Sequence, residues 1–151
     1  MKIIAIGSDH GGFRLKENLK VYLKKKGFKI IDVGTFSEES CDYPVYAYAV
    51  AKKVAEGKAG CGIVICKTGI GVSIVANKVH GIRAALCYNV KAAILSRQHN
   101  NANVLSLGAL FVSKKKAQAI VDAWLETNFE GGRHKRRIKL IEEIERRSRI
   151  R

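Results

Sequence analysis

The sequence has no long apolar run and only one proline. No stretch approaches the roughly 18 apolar residues that a transmembrane helix needs, and the apolar start at residues 1–7 is too short for a signal peptide. The chain contains no low-complexity tract and no repeat of solenoid period, which excludes a disordered chain and a repeat protein. With 47% hydrophobic and 27% charged residues, residues 1–151 are predicted to form one globular domain that binds no membrane.

The four cysteines lack metal-binding or redox spacing. They are Cys41, Cys61, Cys66 and Cys87, so no pair has the CxxC pattern. Cys61 and Cys66 are five residues apart, which places them on opposite faces of one strand. No two histidines share ligand spacing, so the sequence predicts no metal site. Reduced thiols of this kind are typical of a cytoplasmic protein.

Acidic residues are scarce, since 13 stand against 28 Lys and Arg for a formal charge of +15. The basic residues concentrate at 14–29, 114–116 and 133–151, which are all predicted to be helical. A solvated helix surface explains such charge, and so does a small anionic ligand or a nucleic acid. No aromatic stacking pattern or nucleic-acid motif accompanies the charge, so specific nucleic-acid binding is not predicted.

Strand and helix patterns alternate along the chain. Apolar runs predict five strands, at residues 2–7, 28–33, 62–66, 82–87 and 103–107. Helical stripes predict the intervening helices, of which the clearest contains Ala117, Ile120, Val121 and Trp124, and a basic helix over 132–151 ends the chain. The alternation predicts a parallel sheet covered on both faces, with ligands bound beyond the carboxyl ends of the strands.

The most distinctive strand end is Cys66, which precedes the glycine-rich segment KTGIG at 67–71. Its glycines permit a tight turn, and the N-terminus of the next helix points free N–H donors and a positive dipole end at the same place. This arrangement suits an oxyanion and favours the thiolate form of Cys66, which could then act as base or nucleophile. The alternative is that Cys66 is only a small apolar residue in a strand.

Other candidates for chemistry are Asp9 and His10 after the first strand, and His99 near the end of a helix. A carboxylate beside an imidazole can orient it, and His99 can serve as a general acid or base. Arg133 and Arg137 share one helix face and suit a phosphate group. Each also has a structural interpretation as a surface or helix-terminal residue. Without a dinucleotide fingerprint, the set predicts proton transfer on a small phosphorylated anion through an enediolate.

Several ordered motifs resemble one enzyme family. They include SDHGG (8–12), DYP (42–44), ICKTGIG (65–71), ANK (76–78), GIRA (81–84), SRQHN (96–100), NVL (103–105) and GGRH (131–134). Over residues 2–147 the chain resembles the sugar-phosphate isomerases that include ribose-5-phosphate isomerase B and the allose- and galactose-6-phosphate isomerases.

The resemblance implies a three-layer α/β/α, Rossmann-like domain with a five-stranded parallel sheet. It implies a homodimer or a dimer of dimers, with each active site lined by both subunits and the C-terminal helix packed on the partner through Ile138, Ile141 and Ile144. The implied reaction interconverts ribose 5-phosphate and ribulose 5-phosphate without a cofactor. A six-carbon sugar phosphate is the alternative substrate, against which His99 argues mildly.

The resemblance also assigns roles to individual residues. Cys66 corresponds to the base, and His99, with Asp9 nearby, corresponds to the group that opens the sugar ring. The enediolate-stabilising loop corresponds to Lys67, Thr68, Gly69, Ile70 and Gly71. The phosphate contacts correspond to His10, Arg133, His134 and Arg137, and the other substrate contacts to Tyr43 and Asn100.

Two positions depart from the family pattern. Lys67 stands where relatives usually have glycine, and in a left-handed conformation this lysine would cost about 1 kcal/mol. Otherwise its ammonium group would support the Cys66 thiolate or point to solvent. Leu110 stands where many relatives have arginine, so any sugar or phosphate contact at that position is lost or supplied elsewhere.

Overall fold

The structure, a computed structural model, describes residues 2–149. Its five strands are β1 (Ile3–Ser8), β2 (Lys29–Asp32), β3 (Cys61–Cys66), β4 (Ala84–Leu86) and β5 (Val104–Gly108). Its six α-helices are α1 (Phe13–Lys25), α2 (Tyr43–Ala55), α3 (Ile70–Ala76), α4 (Val90–Asn100), α5 (Lys114–Glu126) and α6 (Arg133–Ser148). A short 3-10 helix (His10–Gly12) joins β1 to α1.

All five strands are parallel and lie in the order β2-β1-β3-β5-β4. Alternate residues of β3 enter different cores, with Ile63 and Ile65 on one face of the sheet and Val64 and Cys66 on the other. Helices α1, α4 and α5 cover the first face, and α2 and α3 cover the second. The predicted three-layer α/β/α fold is therefore confirmed.

Local sequence explains where α4 and α5 begin. The Asn89 side chain accepts the Ala92 N–H before α4, and the Ser113 side chain accepts the Lys116 N–H before α5. The predicted stripe of α5 is buried, including the side chain of Trp124. The periodicity of this helix therefore identified its core face correctly.

Two elements are shorter than expected. Strand β4 spans Ala84–Leu86 rather than 82–87. It begins late because the N–H of Arg83 donates to the Asn103 side chain instead of to a neighbouring strand. Helix α3 ends at Ala76 rather than near residue 78. These changes do not alter the order of the fold.

Helix α6 packs partly on its own chain. Ile138 is buried, whereas Ile141 and Ile144 are 47% and 64% exposed. Packing of this exposed face on a partner subunit stays a prediction. The last two residues of the predicted 132–151 helix lie outside the described residues. Within 2–149, no helix is both long and apolar enough to span a membrane.

Candidate active site

Cys66 is the last residue of β3 and is buried. Its Sγ atom accepts a hydrogen bond from the N–H of Gly69 at 3.1 Å, and the Thr68 hydroxyl lies 4.0 Å away. The same hydroxyl accepts the Ile70 N–H at 3.2 Å. Gly69 has φ +77°, and a Cβ there would lie 2.5 Å from a methyl group of Leu86. The turn therefore requires glycine and directs a backbone donor at the sulfur.

Asp9 is buried beside this turn. Its carboxylate accepts the N–H of Gly12 at 3.1 Å, and its own N–H donates to the carbonyl of Ile65 at 3.3 Å. Gly12 packs so closely that a Cβ would lie 2.7 Å from the same carbonyl oxygen. The chain after β1 is thus fixed against the residue that precedes Cys66.

His10 is oriented by a residue that the sequence reasoning missed. Its Nδ1 atom accepts the N–H of Cys41 at 3.2 Å, and the Cys41 sulfur lies 3.9 Å from the same nitrogen. Because a backbone N–H only donates, Nδ1 is the acceptor in this hydrogen bond. No periodic signal in the loop at 34–42 indicated this contact.

Lys67 and Tyr43 cover glycines of the same site. A Cβ on Gly11 would lie 2.5 Å from Cγ of Lys67, so the aliphatic part of the lysine side chain packs on this glycine. A Cβ on Gly71 would lie 2.7 Å from the Tyr43 ring. Lys67 does not have a positive φ, so it carries no left-handed strain. It is exposed, and no carboxylate of residues 2–149 forms an ion pair with it.

The other side of the turn is held by β4 and β5. Tyr88 donates its hydroxyl proton to the carbonyl of Thr68 at 2.9 Å, and the N–H of Leu110 donates to the carbonyl of Lys67 at 2.9 Å. The Leu110 side chain is 68% exposed. Tyr88 follows the end of β4, so its position after a strand was the available signal for its role.

The remaining predicted site residues form a second cluster at the end of α4 and the start of α6. The rings of His99 and His134 stack with centroids 4.3 Å apart and planes 10° apart. The Nε2 atom of His134 lies 3.6 Å from a carboxylate oxygen of Glu130. Burial lowers the pKa of His134, the charges of His99 and Arg133 lower it further, and Glu130 opposes them. Arg133 and Arg137 lie in the first turns of α6 beside this cluster.

The two clusters lie at opposite ends of the parallel strands. Asn100 accepts a hydrogen bond at its carbonyl from Arg83, which immediately precedes β4, so the second cluster lies where the strands begin. Cys66 pairs with Gly108 where the strands end. The two ends of a strand are about 13 Å apart, because four residues of parallel strand lie between them. One chain therefore does not bring Cys66 and Asp9 together with His99 and Asn100.

Comparison with known proteins identifies the family. The sequence profile of the family described as "Ribose/Galactose Isomerase" matches residues 4–141. The chain belongs to this family. It is 51% identical to ribose-5-phosphate isomerase B of Escherichia coli strain K12, over 97% of this chain and 99% of that protein. The family expected from the motifs is therefore confirmed.

Solved structures of ribose/galactose isomerases share the fold. Ribose-5-phosphate isomerase B of Clostridium thermocellum is 51% identical, with a TM-score of 0.96 over 97% of this chain and 99% of that one. The Mycoplasma genitalium enzyme, solved with bound ribulose-5-phosphate, is 46% identical, with a TM-score of 0.92 over 95% of this chain and 96% of that one. The five-stranded Rossmann-like architecture is thus that of the family.

Proposed function

We propose that this chain is an aldose–ketose isomerase that interconverts D-ribose 5-phosphate and D-ribulose 5-phosphate. The observation that carries the proposal is the Cys66 sulfur, placed at a strand end with a backbone N–H aimed at it. Membership of the family and 51% identity to a ribose-5-phosphate isomerase B over nearly the whole chain support the same reaction. The reaction is an internal proton shift and consumes no external oxidant or cofactor.

Cys66 acts as the base in this proposal. Its thiolate removes the proton from C2 of the open-chain aldose, which leaves an enediolate. A proton passes from the oxygen on C2 to the oxygen on C1, and the Cys66 thiol returns its proton to C1, which gives the ketose and restores the thiolate. The backbone N–H groups of the turn at 67–71 and the Thr68 hydroxyl stabilise the negative charge on oxygen. Buried Asp9 and Tyr43, which packs on Gly71, line the same end of the strands and hold the sugar.

A second copy of the chain supplies the rest of the site. His99 assists ring opening and Asn100 contacts the substrate, but both lie at the opposite end of the strands from Cys66. Arg133, His134 and Arg137 bind the phosphate together with His10 of the other subunit. The proposed enzyme is therefore a homodimer or a dimer of such dimers, with each site built from two subunits. We place it in the cytoplasm, consistent with its four free thiols.

The test is interconversion of the two pentose phosphates in EDTA by wild type, Cys66→Ala and Cys61→Ala. Cys61 is a matched control because it is a buried thiol on the same strand that faces the other core. Loss of the base predicts a fall in kcat of about 10²- to 10⁴-fold for Cys66→Ala, while Cys61→Ala keeps its activity.

Two results would overturn the proposal. If the wild-type protein isomerises six-carbon sugar phosphates but not pentose phosphates, its substrate is different from the one proposed. Unchanged turnover by Cys66→Ala, with circular dichroism like that of wild type, would remove Cys66 as the base.

A further inference from the structure

The second cluster has the ligand set of a metal site. The candidate ligand atoms of His99, Glu130 and His134 all lie within 4.8 Å of one another. Two imidazoles and one carboxylate, with a fourth position open, are a set that holds Zn²⁺ in many proteins. Sequence spacing did not indicate the set, because it joins the end of α4 to the segment before α6 and to the first turn of α6.

The distances are close to those of a bound ion. In a tetrahedral zinc site with bonds of about 2.0–2.1 Å, neighbouring ligand atoms are about 3.3 Å apart. Glu130 and His134 already approach to 3.6 Å. A metal ion lies in the plane of each imidazole that binds it, so the stacked rings must tilt toward each other. Half-buried His99 and exposed Glu130 have room for this movement, while buried His134 is the fixed member.

The backbone holds the three residues together. The N–H of Glu130 donates to the carbonyl of Gln98 at 3.1 Å, and the N–H of His134 donates to the carbonyl of Gly131 at 3.1 Å. The first bond connects the segment before α6 to the end of α4, and the second connects that segment to the first turn of α6. The charges of Arg133 and Arg137 oppose a dication and Glu130 partly offsets them, so we expect weaker binding than at a four-ligand structural zinc site.

We propose that His99, Glu130 and His134 bind a divalent transition-metal ion such as Zn²⁺ and that the bound ion inhibits the isomerase. The inhibition rests on the proposed function, because the ion withdraws His99 from ring opening and His134 from the phosphate. The metal ion and the sugar phosphate therefore compete. Binding of the ion does not depend on the chain's being an isomerase.

Binding is tested with Co²⁺ in phosphate-free buffer on the full chain carrying Cys66→Ala and Cys41→Ser. These changes remove the reactive thiol and the half-buried thiol beside His10, and Cys61 and Cys87 are buried. We expect one Co²⁺ per chain, with visible absorption bands and no thiolate-to-cobalt charge transfer. Glu130→Gln should weaken binding by about tenfold or more, since loss of even a group behind a metal ligand costs about 10- to 100-fold.

His80 provides the matched control. The Nε2 atom of His80 lies 3.6 Å from a carboxylate oxygen of Glu145, which is the same distance as between His134 and Glu130. Among residues 2–149, the His80–Glu145 pair has no second histidine beside it. His80→Asn should leave Co²⁺ affinity unchanged, while His134→Asn abolishes binding. Equal affinity in the Cys66→Ala/Cys41→Ser parent and in the same protein with Glu130→Gln or His134→Asn would overturn the site. His134 is buried, so His134→Asn can fail to fold. In that case the Co²⁺ affinity of Glu130→Gln, a change at an exposed residue, tests the site.

Inhibition is tested with Zn²⁺ on the chain with all four cysteines. We expect inhibition that is competitive with ribose 5-phosphate, reversed by EDTA, and weakened in Glu130→Gln by the factor found for Co²⁺. Equal inhibition of both proteins would place the inhibitory ion elsewhere, for example on Cys66, and overturn this half of the proposal. Co²⁺ binding by a protein without isomerase activity would instead refute the proposed function and leave the metal site standing.

Discussion

The N–H of Gly69 donates to the Sγ of Cys66, and this bond depends on a backbone conformation that only glycine adopts without strain. The same glycine lies against Leu107 and Gly108, where a Cβ would be 2.8 and 3.0 Å from backbone atoms. The β5 backbone therefore fixes the turn that carries the proposed base.

Gly69→Ala should therefore damage both stability and catalysis. The left-handed conformation costs about 1–2 kcal/mol and the clash adds about 1–3 kcal/mol. Gly57→Ala is the control, because Gly57 has φ +70° but no atom within 4 Å of a Cβ. For Gly57→Ala, urea unfolding should show only the cost of the left-handed conformation. The kcat should fall at least about tenfold for Gly69→Ala and stay unchanged for Gly57→Ala. Equal costs would mean that β5 yields to the added methyl group.

Lys67→Met tests the charge that Lys67 carries beside the turn that follows Cys66. The change keeps the aliphatic part that packs on Gly11 and removes the ammonium group. For an exposed charge we expect KM for ribose 5-phosphate to rise up to about fivefold at low salt, with kcat nearly unchanged. The rise should vanish at high ionic strength. Lys25→Met, at an exposed lysine of α1, should show no change; a large fall in kcat for Lys67→Met would instead give Lys67 a role in proton transfer.

Mixing two inactive variants tests the shared site. In a Cys66→Ala/His99→Asn heterodimer, one site receives both wild-type residues and the other receives both substitutions. After unfolding and refolding of an equal mixture, about a quarter of the wild-type activity should return. Each variant refolded alone is the control. Activity no greater than the sum of the two controls would mean that both residues serve a site within one subunit.

The buried Lys16–Asp32 pair is expected to stabilise the fold strongly. The Lys16 side chain is fully buried, and its ammonium group donates to both oxygens of Asp32, at 2.9 and 2.7 Å. Asp32→Ala leaves that charge with Glu17 alone and should cost about 3–5 kcal/mol in urea unfolding. Glu38→Ala removes the exposed ion pair with Arg14 and should cost much less, because solvent screens exposed charges. Similar costs would contradict the importance of burial.

The same pair predicts a dependence on pH. Burial opposes ionisation of Asp32, but hydrogen bonds from Lys16 and Lys20 outweigh it and lower the pKa of Asp32 below its ordinary 3.8. Its contribution is therefore complete above about pH 4–5 and lost as the pH falls through the lowered pKa. Urea unfolding from pH 6 to pH 2 should show a smaller loss of stability for Asp32→Asn than for wild type. Parallel curves would mean that other carboxylates cause the acid sensitivity.

The sequence predicted the fold well, because alternating strands and amphipathic helices encode burial directly. The stripe that contains Trp124 and the apolar strand that ends at Cys66 are examples. Contacts between distant residues left no such pattern. Glu130 lies close to His134, from which a turn separates it in the chain, and to His99, which belongs to a different helix. Cys41 contacts His10 from an irregular loop. These contacts depend on loop geometry, which hydrophobic periodicity does not encode.

Trp124 is the only tryptophan of the chain. Its ring is buried beneath the guanidinium of Arg97, at 5.3 Å, and Arg97 is two residues before His99 on α4. Arg97 also binds the carbonyls of Ala102 and Thr127, so movement at this end of α4 changes the surroundings of the indole. Tryptophan fluorescence of the unlabelled protein therefore comes from one ring near His99, in the half of the site to which we assign the phosphate. Ligand arrival at that half can be followed optically, in real time, without a dye or an added tag.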